Sequence, residues 1–388
     1  MAELLARRLR LRMAPAELLR ALAGSTELDT GVLVCLAGRW AGGSALIGWH
    51  PVRQVTDVRL IGEPAAPSGD PAGDAMGGGW FGWWGYSGLS WFGYFDRLLR
   101  RDPDGHWWLE STAGDGPDQL AELAGTVERL GSLPPPPAQP PRISGLAGTV
   151  RHRHLAAVER AITAIRAGQL YQVNVCARFS ARLAGPPVEL FAAGLRKWAP
   201  DYAAFLRTPE RTVVSFSPEL FLHRDGEQVR TAPIKGTRRR LGGTGNTGDQ
   251  AGADRLADSL AASDLASSVK DRAENVMIVD LVRNDLGAVA VTGSVEVPAL
   301  NAVEQHPGLV HLVSTVQARL RPDAGWPALL AATFPPGSVT GAPKSSALTA
   351  IADLEHTPRG PYCGAVGWVD ADRRRATLAV GIRTFWSE

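Results

Sequence analysis

The sequence has few cysteines, no long apolar run and no obvious leader. Only three cysteines occur in 388 residues, Cys35, Cys176 and Cys363, and none forms a CxxC pair. This scarcity argues against a disulfide framework and favours a reducing compartment. No apolar run approaches the roughly 20 residues that a membrane-spanning helix needs. Glu3 and Glu17 argue against a transit peptide. We therefore predict a cytoplasmic protein that does not interact with membranes.

The charge is also nearly balanced, with 41 basic and 39 acidic side chains and a formal net charge of +2. Such a balance gives no global attraction for nucleic acid or for an anionic membrane. The chain contains no GxxxxGK[ST] motif, so a nucleotide P-loop is not indicated. These absences point to a site for a small molecule without a nucleotide phosphate.

One break in composition divides the chain. Residues 131–145, "GSLPPPPAQPPRISG", contain six prolines, which favour extended geometry and a linker. We predict an N-terminal region over 1–130, this linker, and a catalytic domain over 146–388. Within the first region, residues 76–99 alternate glycines and aromatic side chains. That stretch is typical of closely packed strands, and it predicts either a buried core or an aromatic ligand pocket.

The segment after the linker begins as a helix and continues as a strand. Leu155, Val158, Ile162 and Ile165 recur at helical spacing, and Gly168 ends the pattern. Residues 171–178 then alternate, which predicts a strand with one polar face. That polar face could line a site or face solvent, and the pattern favours neither.

A lysine stands in an unusual place in "RTVVSFSPELFLHRDGEQVRTAPIKGT". The stretch predicts strand, strand, turn and strand, with Asp225 and Gly226 at the centre of the turn. That register puts Glu219 opposite Ala232, with Lys235 three residues further on. The hairpin can therefore bring Glu219 and Lys235 to one end of a sheet. Such a pair can act as nucleophile and proton shuttle, or it can be a structural ion pair.

Residues 267–287, "SSVKDRAENVMIVDLVRNDLG", predict a helix with a capping box from Ser268 to Asp271 and with Gly287 at C′. Asp271, Glu274 and Asn275 share one face of this helix. Oxygen ligands on one face suit Mg²⁺, which takes one or two carboxylates together with substrate oxygens. The alternative is a solvated acidic face.

A second helix is predicted after the loop "FPPGSVTGAP", with Pro343 at its first position. Free amides at such a start attract anions. Lys344 in the first turn opposes the helix dipole, and a carboxylate ligand would explain its presence. Near the end of the chain, "RGPYCGAVGWVD" and "ATLAVGIRTFW" predict a strand pair. Tyr362 and Arg383 there offer a hydroxyl and a planar fork for a carboxylate.

The motifs together resemble the chorismate-utilising enzymes, which include anthranilate synthase component I, aminodeoxychorismate synthase component I, and the isochorismate and salicylate synthases. The resemblance covers roughly residues 145–386 and rests on "GQLYQVNVCARF", "SFSPELF", "PIKGTRRR", "DRAENVMIVDLVRNDLG", "VHLVSTV", "FPPGSVTGAPK", "RGPYCGAVG" and "GIRT". It implies an α+β fold like that of anthranilate synthase component I. In that fold, two packed and mostly antiparallel sheets are surrounded by helices.

The resemblance also implies roles for individual residues. "PIKGT" is typical of aminodeoxychorismate synthase component I, in which the lysine attacks C2 of chorismate and ammonia enters at C4. By position, the catalytic residues are Lys235, Glu219 and His311, and Glu274 is a Mg²⁺ ligand. The residues that match substrate-binding positions are Thr237, Gly341, Lys344, Tyr362 and Arg383. Gln172 stands where isochorismate and salicylate synthases have a water-activating lysine, which disfavours addition of water.

The implied activity is a transaminase-class amination of chorismate to 4-amino-4-deoxychorismate, on the route to 4-aminobenzoate and folate. The implied partner is a glutamine amidotransferase subunit that supplies ammonia. Anthranilate synthase component I and a non-catalytic chorismate-binding protein are the alternatives. Family members continue past "GIRT" into a further loop and a helix with a second Mg²⁺ glutamate. We therefore expect the C-terminus to be truncated.

Overall fold

The computed structural model describes residues 4–40, 43–56, 61, 75–134, 140–148, 151–240, 249–372 and 374–387. Within these residues the chain divides by its contacts into two compact units. The first unit comprises Met1–Leu146, Ala181–Pro218 and Arg359–Glu388, and the second comprises Ala147–Ser180 and Glu219–Pro358. Each unit is thus assembled from separate segments. The three-part division along the chain stays a prediction, and residues 135–139 of the predicted linker lie outside the described residues.

The helices and strands follow in chain order: β1 (Leu5–Arg8), α1 (Pro15–Ala23), β2 (Leu33–Trp40), β3 (Gly43–Trp49), β4 (Arg53–Val55), β5 (Gly79–Trp84), β6 (Trp91–Phe95), β7 (Arg97–Arg101), β8 (Trp107–Ser111), α2 (Pro117–Ser132), β9 (Arg142–Gly148), α3 (Arg151–Arg166), β10 (Gln172–Val173), β11 (Phe179–Ala184), α4 (Pro187–Trp198), β12 (Tyr202–Arg207), β13 (Thr212–Ser217), β14 (Leu220–Asp225), β15 (Gln228–Ala232), β16 (Ile234–Arg239), α5 (Asp249–Ser267), α6 (Val269–Gly287), β17 (Glu296–His306), β18 (Leu309–Arg319), α7 (Trp326–Thr333), a 3₁₀ turn (Gly337–Val339), β19 (Gly341–Ala342), α8 (Lys344–Leu354), β20 (Ala365–Asp370), β21 (Arg375–Val380) and β22 (Thr384–Trp386).

The first unit is built on an antiparallel sheet in the order β1-β8-β7-β3-β2-β12-β13-β22. Apolar faces of α1, α2 and α4 contribute Leu18, Val127 and Phe191 to one core with strand residues such as Leu33 and Phe205. Burial of that apolar area is the main source of stability in such a layer.

The stretch of glycines and aromatic residues forms β5 and β6, which lie in the run β21-β20-β5-β6-β4. Trp80, Phe81 and Phe92 in these strands are almost fully buried. Gly82 permits the close approach, since a Cβ there would lie 2.0 Å from the carbonyl oxygen of Trp91. Of the two predictions for this stretch, the buried core is therefore the one observed. The strand pair predicted near the end of the chain is confirmed as β20 and β21.

The second unit has antiparallel strands in the order β16-β18-β15-β14, and β17 also pairs with β18. The hairpin prediction is confirmed, but its register is wrong. Asp225 pairs with Gln228, so Gly226 and Glu227 form the loop, and a bulge between Leu220 and His223 sets Leu220 opposite Ala232. The turn lies one residue further along than the Asp-Gly pattern suggested.

The helix predicted over 267–287 is observed as α6. The Ser268 hydroxyl caps it by accepting a hydrogen bond from the Asp271 N–H at 3.2 Å. Gly287 is its last helical residue and Ala288 the C-cap, so the predicted C′ position was wrong by two residues. The α6 helix packs on β16 and β18, which brings its carboxylates towards the strands that carry Lys235 and His311.

The helix predicted after the linker is observed as α3, but its apolar stripe is not its buried face. Leu155, Ile162 and Ile165 are 47%, 41% and 37% exposed, whereas Ala157 and Ala161 are buried. The small residues Ala157 and Ala161 form the buried face because they allow α3 to pack closely against α8. The strand predicted over 171–178 is reduced to β10, and β11 begins only at Phe179.

The fold is α+β with mostly antiparallel sheets, as predicted. In the part of the chain that the structure describes, no helix is both long enough and apolar enough to cross a membrane.

Candidate functional site

Lys235 lies on β16 with its ammonium group turned into the second unit. Only 16% of its side chain is exposed. Its Nζ donates a hydrogen bond to the Ser338 carbonyl oxygen at 3.0 Å and lies 3.4 Å from Glu274 Oε1. Lysine side chains normally keep the charged end in water. A lysine held by one carbonyl and one carboxylate in a mostly buried place is a candidate functional group.

Glu219 immediately precedes β14 and is only 4% exposed. Burial raises the pKa of its carboxyl to about 7, against the opposing effects of the Ser338 hydroxyl, the Lys235 charge and the Ile234 backbone N–H. A carboxyl with a pKa near 7 is present in both protonation states at neutral pH. It can therefore donate a proton in one step and accept one in the next.

The three polar residues that share a face of α6 have different partners. Asp271 binds Arg238 of β16, with Nη2 to Oδ2 at 2.9 Å. Asn275 is fully buried, donates to the Leu312 carbonyl and accepts from Ser314. Glu274 accepts a hydrogen bond from Gln172 Nε2 at 2.7 Å and keeps 29% of its side chain exposed. Glu274 is therefore the member of this face that is best placed to meet a ligand.

The donor set fits a cation held partly by a substrate. Among the described residues, no group of three or more His, Cys, Asp and Glu side chains could enclose a metal ion. Mg²⁺ usually keeps waters and takes one or two carboxylates with substrate oxygens. One partly exposed carboxylate, Glu274, is consistent with that mode of binding.

His311 and Thr237 face each other across β18 and β16. Thr237 Oγ1 and His311 Nδ1 lie 2.9 Å apart within hydrogen-bond distance, and His311 is 2% exposed. The hydrogen bond fixes the orientation of the imidazole ring. The cross-strand register thus places two of the predicted site residues together.

Gly341 and Gln172 are brought together by the short strand pair β10–β19, in which Gly341 lies opposite Val173. Gly341 has a φ of +152°, and a Cβ there would lie 2.2 Å from the Gln172 carbonyl oxygen. Only glycine allows this approach. The same pairing holds the Gln172 side chain against Glu274.

Lys344 begins α8, and its ammonium group is bound by protein groups. Nζ donates to Asp285 Oδ2 at 2.5 Å and to the Thr333 carbonyl oxygen at 3.1 Å. Burial raises the pKa of Asp285 to about 6, although the charge of Lys344 lowers it. The carboxylate that explains Lys344 in the first turn is therefore that of Asp285 in the protein, and not that of a bound ligand. Pro343 is the N-cap of α8, so its predicted place at the first helical position was wrong by one residue.

The variant Lys344→Met is expected to lower the free energy of unfolding by about 3 kcal/mol, because it leaves the buried Asp285 without its cation. Denaturant titration at neutral pH measures this loss, and the additional change Asp285→Asn should recover part of it. The exposed Lys270 provides a control, since Lys270→Met should change stability by less than about 0.5 kcal/mol. Unchanged stability with weaker substrate binding would instead support the predicted substrate-binding role of Lys344.

Tyr362 and Arg383 belong to the first unit, in its segment Arg359–Glu388. Arg383 has a φ of +50°, and its carbonyl accepts a hydrogen bond from the Phe216 N–H at 3.1 Å. Few non-glycine residues in proteins adopt this conformation. Those that do are concentrated at functional sites. The roles of Tyr362 and Arg383 in substrate binding stay predictions.

Sequence reasoning missed Ser338 and Asp285. Ser338 meets Lys235 through its backbone carbonyl, a contact that no side-chain pattern reveals. Asp285 lies in the last turn of α6, and only the packing of α8 shows that it receives Lys344. The sequence did contain an indirect signal for Asp285. Lys344 opposes the helix dipole in the first turn of α8, and this placement predicts a carboxylate close to it.

Comparison with known proteins gives the family of this fold. The sequence model described as "chorismate binding enzyme" matches residues 82–388. Anthranilate synthase component 1 1 from Haloarcula marismortui is 46% identical over 221 residues, which cover 57% of this chain and 42% of that protein. Aminodeoxychorismate synthase component 1 from Salmonella typhimurium is 43% identical over 220 residues, which cover 57% of this chain and 46% of that protein. The chain therefore spans less than half the length of these curated relatives.

Among solved structures, anthranilate synthase component I from Streptococcus pneumoniae TIGR4 matches with a TM-score of 0.74 at 25% identity. The match covers 88% of this chain and 83% of that one. The predicted likeness to the fold of anthranilate synthase component I is confirmed.

Proposed function

Since the chain belongs to the chorismate binding enzyme family, we propose that it converts chorismate and ammonia into 4-amino-4-deoxychorismate. Family membership confirms the resemblance inferred from the motifs. The observation that carries the proposal is the position of Lys235 in the second unit, hydrogen-bonded to Ser338 and next to Glu274, with its charge acting on Glu219. The product would serve the route to 4-aminobenzoate and folate in the cytoplasm.

In the proposed reaction, the Lys235 ammonium first gives a proton to Glu219, and the free amine then bonds to C2 of chorismate. The ring double bonds shift as the C4–O bond breaks, and the hydroxyl leaves as water with the proton from Glu219. Ammonia bonds to C4 and returns a proton to Glu219, and the lysine leaves C2 with its electron pair. Overall, an amino group replaces the C4 hydroxyl, one ammonia is consumed and one water is released. The raised pKa of Glu219 supports this double role, because the group must both accept and donate a proton.

We assign the carboxylates of chorismate to Thr237 and Gly341 of the second unit. The predicted substrate-binding roles of Lys344, Tyr362 and Arg383 stay predictions. His311 would lie close to the ring, oriented by Thr237. Mg²⁺ would be held by Glu274 and would supply positive charge to a substrate carboxylate. Gln172 holds Glu274 through its amide, and an amide cannot activate water as a base at neutral pH. Water addition at C2 is therefore disfavoured.

Anthranilate synthesis is the second candidate, since a relative of that name is 46% identical. The discriminating experiment incubates the protein with chorismate, ammonium and Mg²⁺ and separates the products by chromatography. We expect 4-amino-4-deoxychorismate, which yields 4-aminobenzoate only after a lyase is added. Fluorescent anthranilate without a lyase would reject the proposal. Calorimetric binding of chorismate with no product would support a binding protein.

The variant Glu274→Gln is expected to raise the Mg²⁺ concentration for half-maximal turnover by about tenfold or more, because an amide oxygen carries no charge for the cation. Calorimetric titration with Mg²⁺ in the presence of chorismate should show the same loss of affinity. Asp280→Asn is the control on the same helix, since the Asp280 side chain is 64% exposed and pairs only with Arg283 in the described structure. An unaltered metal dependence in Glu274→Gln would remove Glu274 as a ligand.

We propose that ammonia comes from a separate glutamine amidotransferase subunit. The name "component 1" of several relatives implies a second component for those proteins. Cys363 is fully buried. Cys176 lies between β10 and β11, and its backbone N–H donates a hydrogen bond to the Glu355 carboxylate. Neither cysteine has the setting of a glutaminase nucleophile.

A further inference from the structure

A cavity of about 430 Å³ lies in the second unit, beside the contact between α3 and α8. Its apolar part includes Ala157 and Leu354, which belong to the small core between these two helices. Its polar part comes from four basic side chains: His152, Arg153, Arg160 and His356. The volume is in the range of small-molecule sites, and the proposed reaction uses none of these residues.

The charges around this cavity are of one sign. Of the described residues that line it, none is acidic. Arg153 and Arg160 are always charged, and neither forms an ion pair with a carboxylate in the part of the chain that the structure describes. Like charges gathered at one cavity repel each other, and an anion bound in the cavity removes that repulsion.

Arg160 is held at the cavity by the end of α8. Its Nη1 donates a hydrogen bond to the Asp353 carbonyl oxygen at 3.4 Å. This carbonyl lies in the last turn of α8, where free carbonyls favour a cation. The contact uses one of the five N–H groups of the guanidinium, so the others stay available to a ligand. Glu355, which follows α8, accepts the Cys176 N–H at 2.7 Å and does not line the cavity.

We propose that this cavity binds a small molecule that carries a phosphate group. A phosphate monoester has close to two negative charges and three acceptor oxygens, and arginine forks match that geometry. An imidazole adds an N–H donor even when it is neutral. A single carboxylate has one charge and two oxygens, so it would leave several of these donors unused. The apolar part of the cavity suits a small organic group on the ester oxygen.

Calorimetric titration with phenyl phosphate as the probe tests this proposal. We expect one site per chain and a dissociation constant of about 1 mM or lower, which is within reach of a ligand of this size. Benzoate offers a similar ring with a single carboxylate and should bind at least about tenfold more weakly. Equal affinity for benzoate would overturn the phosphate assignment, and no binding heat for phenyl phosphate would reject the site.

Variants of the two arginines locate the probe. Arg153→Gln and Arg160→Gln should each weaken the binding of phenyl phosphate by about tenfold or more, the scale of one hydrogen bond to a charged group. Both side chains are exposed, so the melting temperature should stay close to that of wild type. Arg166→Gln is the matched control, because it removes the same charge from the exposed end of the same helix. An equal loss in Arg166→Gln would show that net charge is responsible and would overturn the proposal.

A further variant closes the cavity. Ala156 is an exposed residue of α3 that also lines the cavity. Ala156→Glu keeps a good helix former, adds bulk and a negative charge, and should weaken the binding of phenyl phosphate by at least about tenfold. Thr163→Glu adds the same charge to an exposed position of α3 outside the cavity and should retain the wild-type affinity. Unchanged affinity in Ala156→Glu would reject the site.

A last comparison separates this cavity from the candidate functional site. Lys235→Ala should bind phenyl phosphate as wild type does, because Lys235 does not line the cavity. A loss in Lys235→Ala as large as that in Arg160→Gln would place the probe beside Lys235 and overturn the proposal. Every readout is a binding heat. A wild-type protein that makes no aminated product would therefore end the proposed function without touching this inference.

Discussion

Replacing Lys235 by alanine is expected to lower the amination of chorismate by ~10³-fold or more, the scale seen when a covalent nucleophile is removed. The fold should persist, because Lys235 contributes one hydrogen bond to a carbonyl and one ion pair at 3.4 Å. Initial rates with ammonium and Mg²⁺ measure the loss, and circular dichroism and the melting temperature check the fold.

The control for Lys235→Ala is Lys270→Ala, which removes an exposed lysine from α6. It should retain the wild-type rate. Mass spectrometry of protein quenched with chorismate offers an independent readout, because a covalent adduct should form on the wild type and be missing from Lys235→Ala. Full turnover by Lys235→Ala would show that the amine plays no covalent part.

Glu219→Gln is expected to have two opposite effects. Turnover should fall about 10²- to 10⁴-fold, since the amide can neither donate the proton to the leaving hydroxyl nor accept one afterwards. The second effect is on stability. At alkaline pH the Glu219→Gln variant should be more stable than wild type, because the glutamine side chain does not become charged in its buried position. The carboxyl pKa rises from 4.5 to about 7 on folding, so the folded state binds this proton more tightly than the unfolded state.

The sign of the pH effect follows from that difference. The contribution of Glu219 to stability is fully present below about pH 4.5 and is lost as the pH rises through about 7, where the buried group becomes charged. A shift of this size corresponds to about 3 kcal/mol. Between pH 5 and pH 8, wild type should therefore lose more unfolding free energy than Glu219→Gln does. Denaturant titrations at both pH values measure the difference, and parallel losses would show that Glu219 does not titrate in this range.

Much of the site was predictable because its signals are local. The cap at Ser268 and the single face of Asp271, Glu274 and Asn275 follow from helical spacing alone. The strands around Asp225 and Gly226 follow from alternation and a turn dipeptide. The register did not, because the turn is centred on Gly226 and Glu227, one residue further along than the dipeptide indicates, and a bulge between Leu220 and His223 then shifts the pairing again. Bulges leave no reliable mark in a single sequence.

The apolar stripe of α3 shows another limit of local patterns. Leu155, Ile162 and Ile165 have the spacing of a buried face, yet Ala157 and Ala161 face α8. Periodicity identifies a helix, but the neighbour decides which face is covered. The same holds for Lys344, whose acidic partner Asp285 lies 59 residues earlier in the chain.

The sequence by itself determined the elements and the reactive residue types: a capped acidic helix, a Gly-Pro loop before a helix, and a lysine at a strand end in "PIKGT". Those features depend on neighbours a few residues apart along the chain. Only the tertiary structure decided that Lys235 is held by the Ser338 carbonyl, that Glu274 receives Gln172, and that Glu219 is buried. These contacts join residues 102 or 103 positions apart, and the buried environment that raises the pKa of Glu219 exists only when distant segments pack together and exclude water.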